Sequence, residues 1–153
     1  MSSTDVRAVS GSRLLRLVER YTALATQVEE IGGMACLVAI AFSEPSATPV
    51  SDALSTFDQL VTSNLLEAEV RSAFAREAAT LDPAPLLSGL TWFYPKRRLT
   101  AEFQRVTQFD HVRGADLWHL ACALALSPDG APLSFMTLDR RQKRVAEKLG
   151  FLT

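Results

Sequence analysis

The sequence predicts an α/β fold with a parallel central sheet, on two grounds. Short apolar strands alternate with helical stretches along the second and third quarters of the chain and again at its end. No internal repeat, low-complexity tract or linker interrupts the 153 residues, a length that suits one domain with a proper core.

Taken in order, Ser12 is placed to cap a helix with an apolar stripe at Leu14, Val18, Tyr21, Leu24 or Ala25, and Val28, which Gly32 and Gly33 end. The stretch Ala35 to Phe42 has a length that suits a buried strand or a short helix equally. Ser43 to Ser51, with two prolines, breaks the pattern, and Asp52 to Leu60 reads as a helix. Leu60-Val61-Thr62 is a short buried strand. From Asn64 the helical period runs through Leu65, Ala68, Ser72 and Ala75, so Glu69 lies on a helix.

Asp82-Pro83-Ala84-Pro85 is the clearest break, with a short helix expected after it. Thr91 to Pro95 reads as a strand stopped by its proline and followed by Lys96-Arg97-Arg98. Leu99 to Gln108 is helical, and Ala115 to Leu126 is a strong helix with Asp116 in its first turn, where the helix dipole favours a carboxylate. Ser127-Pro128-Asp129-Gly130 is a turn. Leu133 to Leu138 is a buried strand ending at Asp139, and a last helix from about Arg140 to Lys148 closes at Gly150.

Composition narrows the class of protein. Apolar residues make up 48% and charged residues 22%, the balance of a globular chain. The longest apolar run, Met34 to Phe42, is far too short to span a membrane, and no basic region leads directly into an apolar stretch at the N-terminus. No membrane association and no secretory signal are therefore expected. Cys36 and Cys122 stand alone, and His111 and His119 lack ligand spacing, which argues against zinc. A reducing cytoplasm is the expected compartment.

The net charge of −1 conceals an asymmetry: 6 basic and 11 acidic residues precede Lys96, against 10 and 6 from Lys96 onward. Such a basic half can face phosphates even in a near-neutral protein. The plainer reading of Arg140, Arg141, Lys143, Arg144 and Lys148 is a solvated helix face.

Three acids carry the functional reading: Glu69 on a helix that follows a strand, Asp116 opening a helix, and Asp139 ending a strand. In parallel sheets ligands gather beyond the carboxyl ends of the strands. Carboxylates that converge there suit Mg²⁺ or Mn²⁺, and hence phosphodiester chemistry. Beside them, Thr137 is a candidate partner for a carboxylate or a metal-bound water. His119, one turn after Asp116, reads as a structural hydrogen bonder. Trp92, Phe93 and Tyr94 ahead of the basic triplet are candidates to stack bases, with burial in a strand as the plainer alternative.

From about Cys36 to Phe151 the chain resembles the PIN domains typified by VapC toxins of prokaryotic toxin–antitoxin pairs. The segment VTSNLLEAEVRSAFARE resembles the one that supplies that family's second acid, here Glu69. RGADLWHLACALAL resembles the source of the third, Asp116, and LSFMTLDRRQ the source of the fourth, Asp139. CLVAIAFSEP is similar to the helix after the first acid. The resemblance implies a three-layer α/β/α domain over residues 34–153, preceded by an atypical N-terminal helical segment over 1–33. It also implies Mg²⁺ or Mn²⁺ held by Glu69, Asp116 and Asp139 as metal-binding and catalytic residues, and cleavage of single-stranded RNA. A cognate antitoxin and a homodimer come with it.

One departure bears on catalysis. Where the family places Asp-Thr-Ser after its first strand, this chain has Gly33-Met34-Ala35. Val28 to Gly32, with two charges and a glycine, is also a poor central strand by propensity. The alternative to a nuclease is therefore a degenerate PIN domain that binds RNA or an antitoxin-like partner without cutting well.

Overall fold

A computed structural model of the chain describes residues 29–32, 47–57, 59–76, 80, 82–130 and 133–153. Within them four strands form one sheet: β1 (Glu29–Gly32), β2 (Gln59–Ser63), β3 (Thr91–Phe93) and β4 (Ser134–Met136). The helices are α1 (Ala47–Leu54), α2 (Leu65–Arg76), α3 (Ala84–Leu87), α4 (Thr100–Thr107), α5 (Gly114–Leu126) and α6 (Arg140–Leu149). Every strand pair is parallel and the order is β3-β2-β1-β4, so the expected α/β class with a parallel sheet is what the chain adopts.

Two expectations need correction. Residues 29–32, read as the end of an N-terminal helical segment, form an inner strand of the sheet. Glu30 pairs with Leu60 on one side and with Ser134 on the other. Backbone pairing on both flanks outweighs the low strand propensity of two glutamates and a glycine. Four residues of the segment set apart as 1–33 thus belong to the sheet. The second correction concerns α1, which begins at Ala47, inside the stretch read as a break, and ends at Leu54 rather than Leu60. Pro49 is tolerated there because it lies in the first turn, whose N–H groups have no helical partner in any case. The N-terminal helix and the apolar stretch Ala35 to Phe42 lie outside the described residues.

The sheet carries helices on both faces. Trp92 packs with Leu66, Val70, Phe74, Leu86 and Leu87 of α2 and α3, whereas Phe93 packs with buried residues of α4, α5 and α6. Adjacent residues of a strand point to opposite faces, so the two clusters flank the sheet. In α5, His119 through Leu124 are all buried, as expected of a helix enclosed on every side. α6 is the opposite case. Gln142, Val145, Ala146 and Leu149 form its buried stripe, and its basic residues are exposed.

Two features at the far end of the chain fix α6. Asp139 caps its N-terminus, and Gly150 ends it in the left-handed conformation, φ 99°. Beyond it, the Phe135 N–H donates to the Leu152 carbonyl at 2.7 Å, a first bridge on the outer edge of β4. Among the described residues no helix is long and apolar enough to cross a membrane.

The strand order decides where a ligand would sit. From β1 the chain steps outward to β2 and β3, then returns to place β4 on the other flank of β1. Open parallel sheets bind ligands at such a reversal, beyond the carboxyl ends of the strands. Here that end is marked by the pairing of Gly32 with Met136.

Candidate functional site

Glu69 reaches the site because α2 buries Leu66, Val70, Ala73 and Phe74, which leaves Glu69 at the margin of that stripe, half-buried. One carboxylate oxygen, Oε2, lies 2.7 Å from Nε2 of His119 on α5. The other ring nitrogen of His119, Nδ1, lies 3.0 Å from the Ser63 hydroxyl at the end of β2. Ser63 in turn accepts the Leu65 N–H at 3.3 Å. In the tautomer with the proton on Nε2, His119 donates to Glu69 and accepts from Ser63, so both ring nitrogens are satisfied. Both Ser63 and His119 are buried, as such a network requires. The sequence reading of His119 as a structural hydrogen bonder agrees with this.

A serine, a histidine and an acid in line invite comparison with a hydrolase triad. The comparison fails on access. Ser63 has no exposed surface and its oxygen already accepts a backbone N–H, so it cannot attack a substrate. The row of groups braces Glu69 instead.

Asp116 occupies the first turn of α5 and is partly buried. Its carboxyl holds its proton above the usual aspartate range. Burial is the main cause and the charge of Asp139 the next; His119 opposes the shift, Glu69 adds to it and Arg113 opposes it. The three acids singled out in the sequence therefore share one electrostatic field, although they come from the second turn of α2, the first turn of α5 and the N-cap of α6.

Asp139 has a second task. Its Oδ1 accepts the backbone N–H groups of Arg141 and Gln142, both at 2.8 Å, as the N-cap of α6. Thr137, considered as a partner for a carboxylate or a metal-bound water, instead donates to Oε1 of Gln142 and accepts the Asp139 N–H. The Gln142 side chain also donates to the Asp116 carbonyl at 3.4 Å. Gln142 so ties the end of β4 to the first turn of α5. Sequence reading passed over both Gln142 and Ser63. For Gln142 a signal existed: it is the one polar member of the spacing Gln142, Val145, Ala146, Leu149, and a buried amide must find partners.

Among the described residues no three acids, histidines or cysteines stand together as a ready-made metal cage. Mg²⁺ does not require one; it is commonly held by one or two carboxylates and fills its remaining positions with water and phosphate oxygens. Asp116, Asp139 and the braced Glu69 are the carboxylates that could serve such a cation; at Asp116 burial first, and then the charge of Asp139, raises the proton affinity. Gly33 follows β1 directly in sequence and lies outside the described residues. Cys122 is buried, with its thiol pushed up to about 12, chiefly by burial, and takes no part in the site.

The rim is basic. Arg113 precedes α5, and Arg140 and Arg141 open α6; all three are exposed. Arg141 is committed to the segment before α5, donating to the His111 carbonyl at 3.3 Å and lying 4.0 Å from Asp110. No family model, curated protein or solved structure matches the chain.

Proposed function

We propose that the chain is a PIN-like domain of the VapC kind that hydrolyses phosphodiester bonds of single-stranded RNA with Mg²⁺ or Mn²⁺. The observation that carries the reading is the set of contacts that gathers the elements bearing the acids: Glu69 lies 2.7 Å from His119 on the helix of Asp116, and Gln142, whose N–H Asp139 accepts, donates to the Asp116 carbonyl. Acids from three elements pressed into one field at the reversal point of a parallel sheet are an arrangement that a divalent cation relieves. When bound, such an ion lowers the pKa of a water and offsets charge on the phosphate. Asp116 and Asp139 would hold it; Glu69, fixed by His119, would orient water beside it. Arg113 and Arg140 supply positive charge for the flanking phosphates. A cognate antitoxin and a homodimer belong to this proposal by family resemblance alone.

A second reading, a degenerate domain that binds RNA or an antitoxin-like partner, is favoured by one specific observation. The residue that follows the inner strand β1 in the sequence is Gly33, which has no carboxylate to offer.

The deciding experiment is cleavage of a mixed-sequence single-stranded RNA with Mn²⁺ or Mg²⁺, beside EDTA and Asp116→Asn controls. Metal-dependent cutting that Asp116→Asn abolishes is the expected result for a nuclease. If only Gly33→Asp cuts, the chain as it stands is the binding module. If neither cuts, the nuclease reading is wrong.

A further inference from the structure

Tyr94 is the most exposed aromatic side chain among the described residues, 61% open, and it makes no ring contact there. Its position gives that exposure meaning. It leaves β3 at the carboxyl end, where the Phe93 carbonyl accepts the Asn64 N–H at 3.1 Å, directly beyond β2. The Asn64 side chain accepts the indole N–H of Trp118 at 3.2 Å, and Trp118 lies two residues past Asp116 on α5. A continuous run of bonded groups thus leads from the acidic site to Tyr94. β3 is two places from β1 in the sheet, so the lateral offset is about 10 Å.

The residues after Tyr94 sort themselves by charge. Arg97 is occupied by a two-pronged pair with Glu102. Lys96 and Arg98, on either side of it, are exposed and have no carboxylate within ion-pair distance among the described residues. An open aromatic face with two uncommitted cations beside it is the composition of a single-strand binding surface, since every base has a π-face and every linkage a charge. Bases in a duplex are already stacked on one another, so such a face selects single strands.

We propose that Tyr94 is a base-stacking platform for the RNA strand that reaches the acidic site, with Lys96 and Arg98 holding adjacent phosphates; this rests on the RNA reading above. The platform binds without regard to base identity and is independent of the metal.

The test is fluorescence anisotropy of a labelled mixed-sequence RNA in EDTA, so that binding is read without cutting. Tyr94→Ala is expected to weaken binding by at least about fivefold, and Tyr94→Phe to stay within about twofold of the unaltered chain. Lys96→Ala/Arg98→Ala is expected to flatten the logarithmic salt dependence by about 1.4, two phosphate contacts' worth for a single strand. Equal affinity of Tyr94→Ala and the unaltered chain overturns the platform while leaving RNA binding in place. Equal weakening by Tyr94→Ala and Tyr94→Phe overturns it too, since the hydroxyl and not the ring would then matter. An unaltered chain that binds no RNA overturns the platform and the RNA reading together.

Discussion

Glu69 and His119 are 50 residues apart in sequence, and their side chains meet at 2.7 Å. With Ser63 on the other ring nitrogen, that contact joins α2, α5 and the end of β2 through one buried imidazole. Glu69 is therefore not a surface carboxylate that has drifted near the site; the core sets its place. Four consequences for stability and reactivity can be measured.

Replacing His119 with Leu fills similar volume but removes both bonds. The Ser63 hydroxyl loses its partner in the core and the Glu69 carboxylate loses its donor. Unmet buried groups of this kind cost about 2–4 kcal/mol together. Urea denaturation should show that loss in His119→Leu, and a smaller one in His119→Gln, whose amide can still donate. Equal stability of His119→Leu and the unaltered chain would show that the brace carries no energy.

Asp116 makes a pH-dependent prediction with a definite sign. Its folded-state proton affinity is higher than in the unfolded chain. As pH rises from the ordinary aspartate value to the raised one, the unfolded state releases its proton first, so this residue's contribution to stability falls. Asp116→Asn lacks the effect. The variant should match the unaltered chain below about pH 4 and melt higher at neutral pH. A constant difference across that range would contradict the raised affinity.

Asp139 separates capping from charge. Asn caps a helix about as well as Asp, so Asp139→Asn should lie within a few tenths of a kcal/mol of the unaltered chain, whereas Asp139→Ala should lose about 1 kcal/mol. If the acids hold a cation, saturating Mn²⁺ raises the melting temperature of the unaltered chain and of neither variant. Thermal melts with and without Mn²⁺ read both effects at once.

Gly130 and Gly150 meet across a turn. Both have positive φ, and a Cβ on Gly130 would come within 2.5 Å of the Gly150 carbonyl carbon, which is backbone and cannot swing aside. On Gly150 it would meet the Asp129 carbonyl less closely, its oxygen at 3.0 Å and its carbon at 3.9 Å. Gly130→Ala should therefore cost about 3 kcal/mol and Gly150→Ala about 1–2 kcal/mol by chemical denaturation. The reverse order would refute the close approach.

How much of this was legible in the sequence varies with the kind of interaction. The last helix was readable to its ends because its signals are local: Asp139 before it, Gly150 after it and an apolar stripe between. Glu69 on a helix and Asp116 in a first turn followed from period alone. β1 did not, because an inner strand is decided by what pairs with it, and Glu29 and Glu30 carry no trace of β2 and β4. The brace of Ser63, His119 and Glu69 was half legible. His119 has the spacing of a buried residue, but nothing near Ser63 or Glu69 in the sequence names it as their partner. The same limit hid Gln142, whose bond to the Asp116 carbonyl crosses between helices.

The order of the strands also sets a schedule. A ribosome delivers β1 early, yet one of its two neighbours, β4, emerges only after α5 is finished, and Asp139 follows β4. Until then β1 presents an unpaired flank, and Glu69 and Asp116 are made but lack their third companion. Whatever the three acids do together is withheld from the nascent chain until β4, the last of the described strands, and the Asp139 that follows it are laid down.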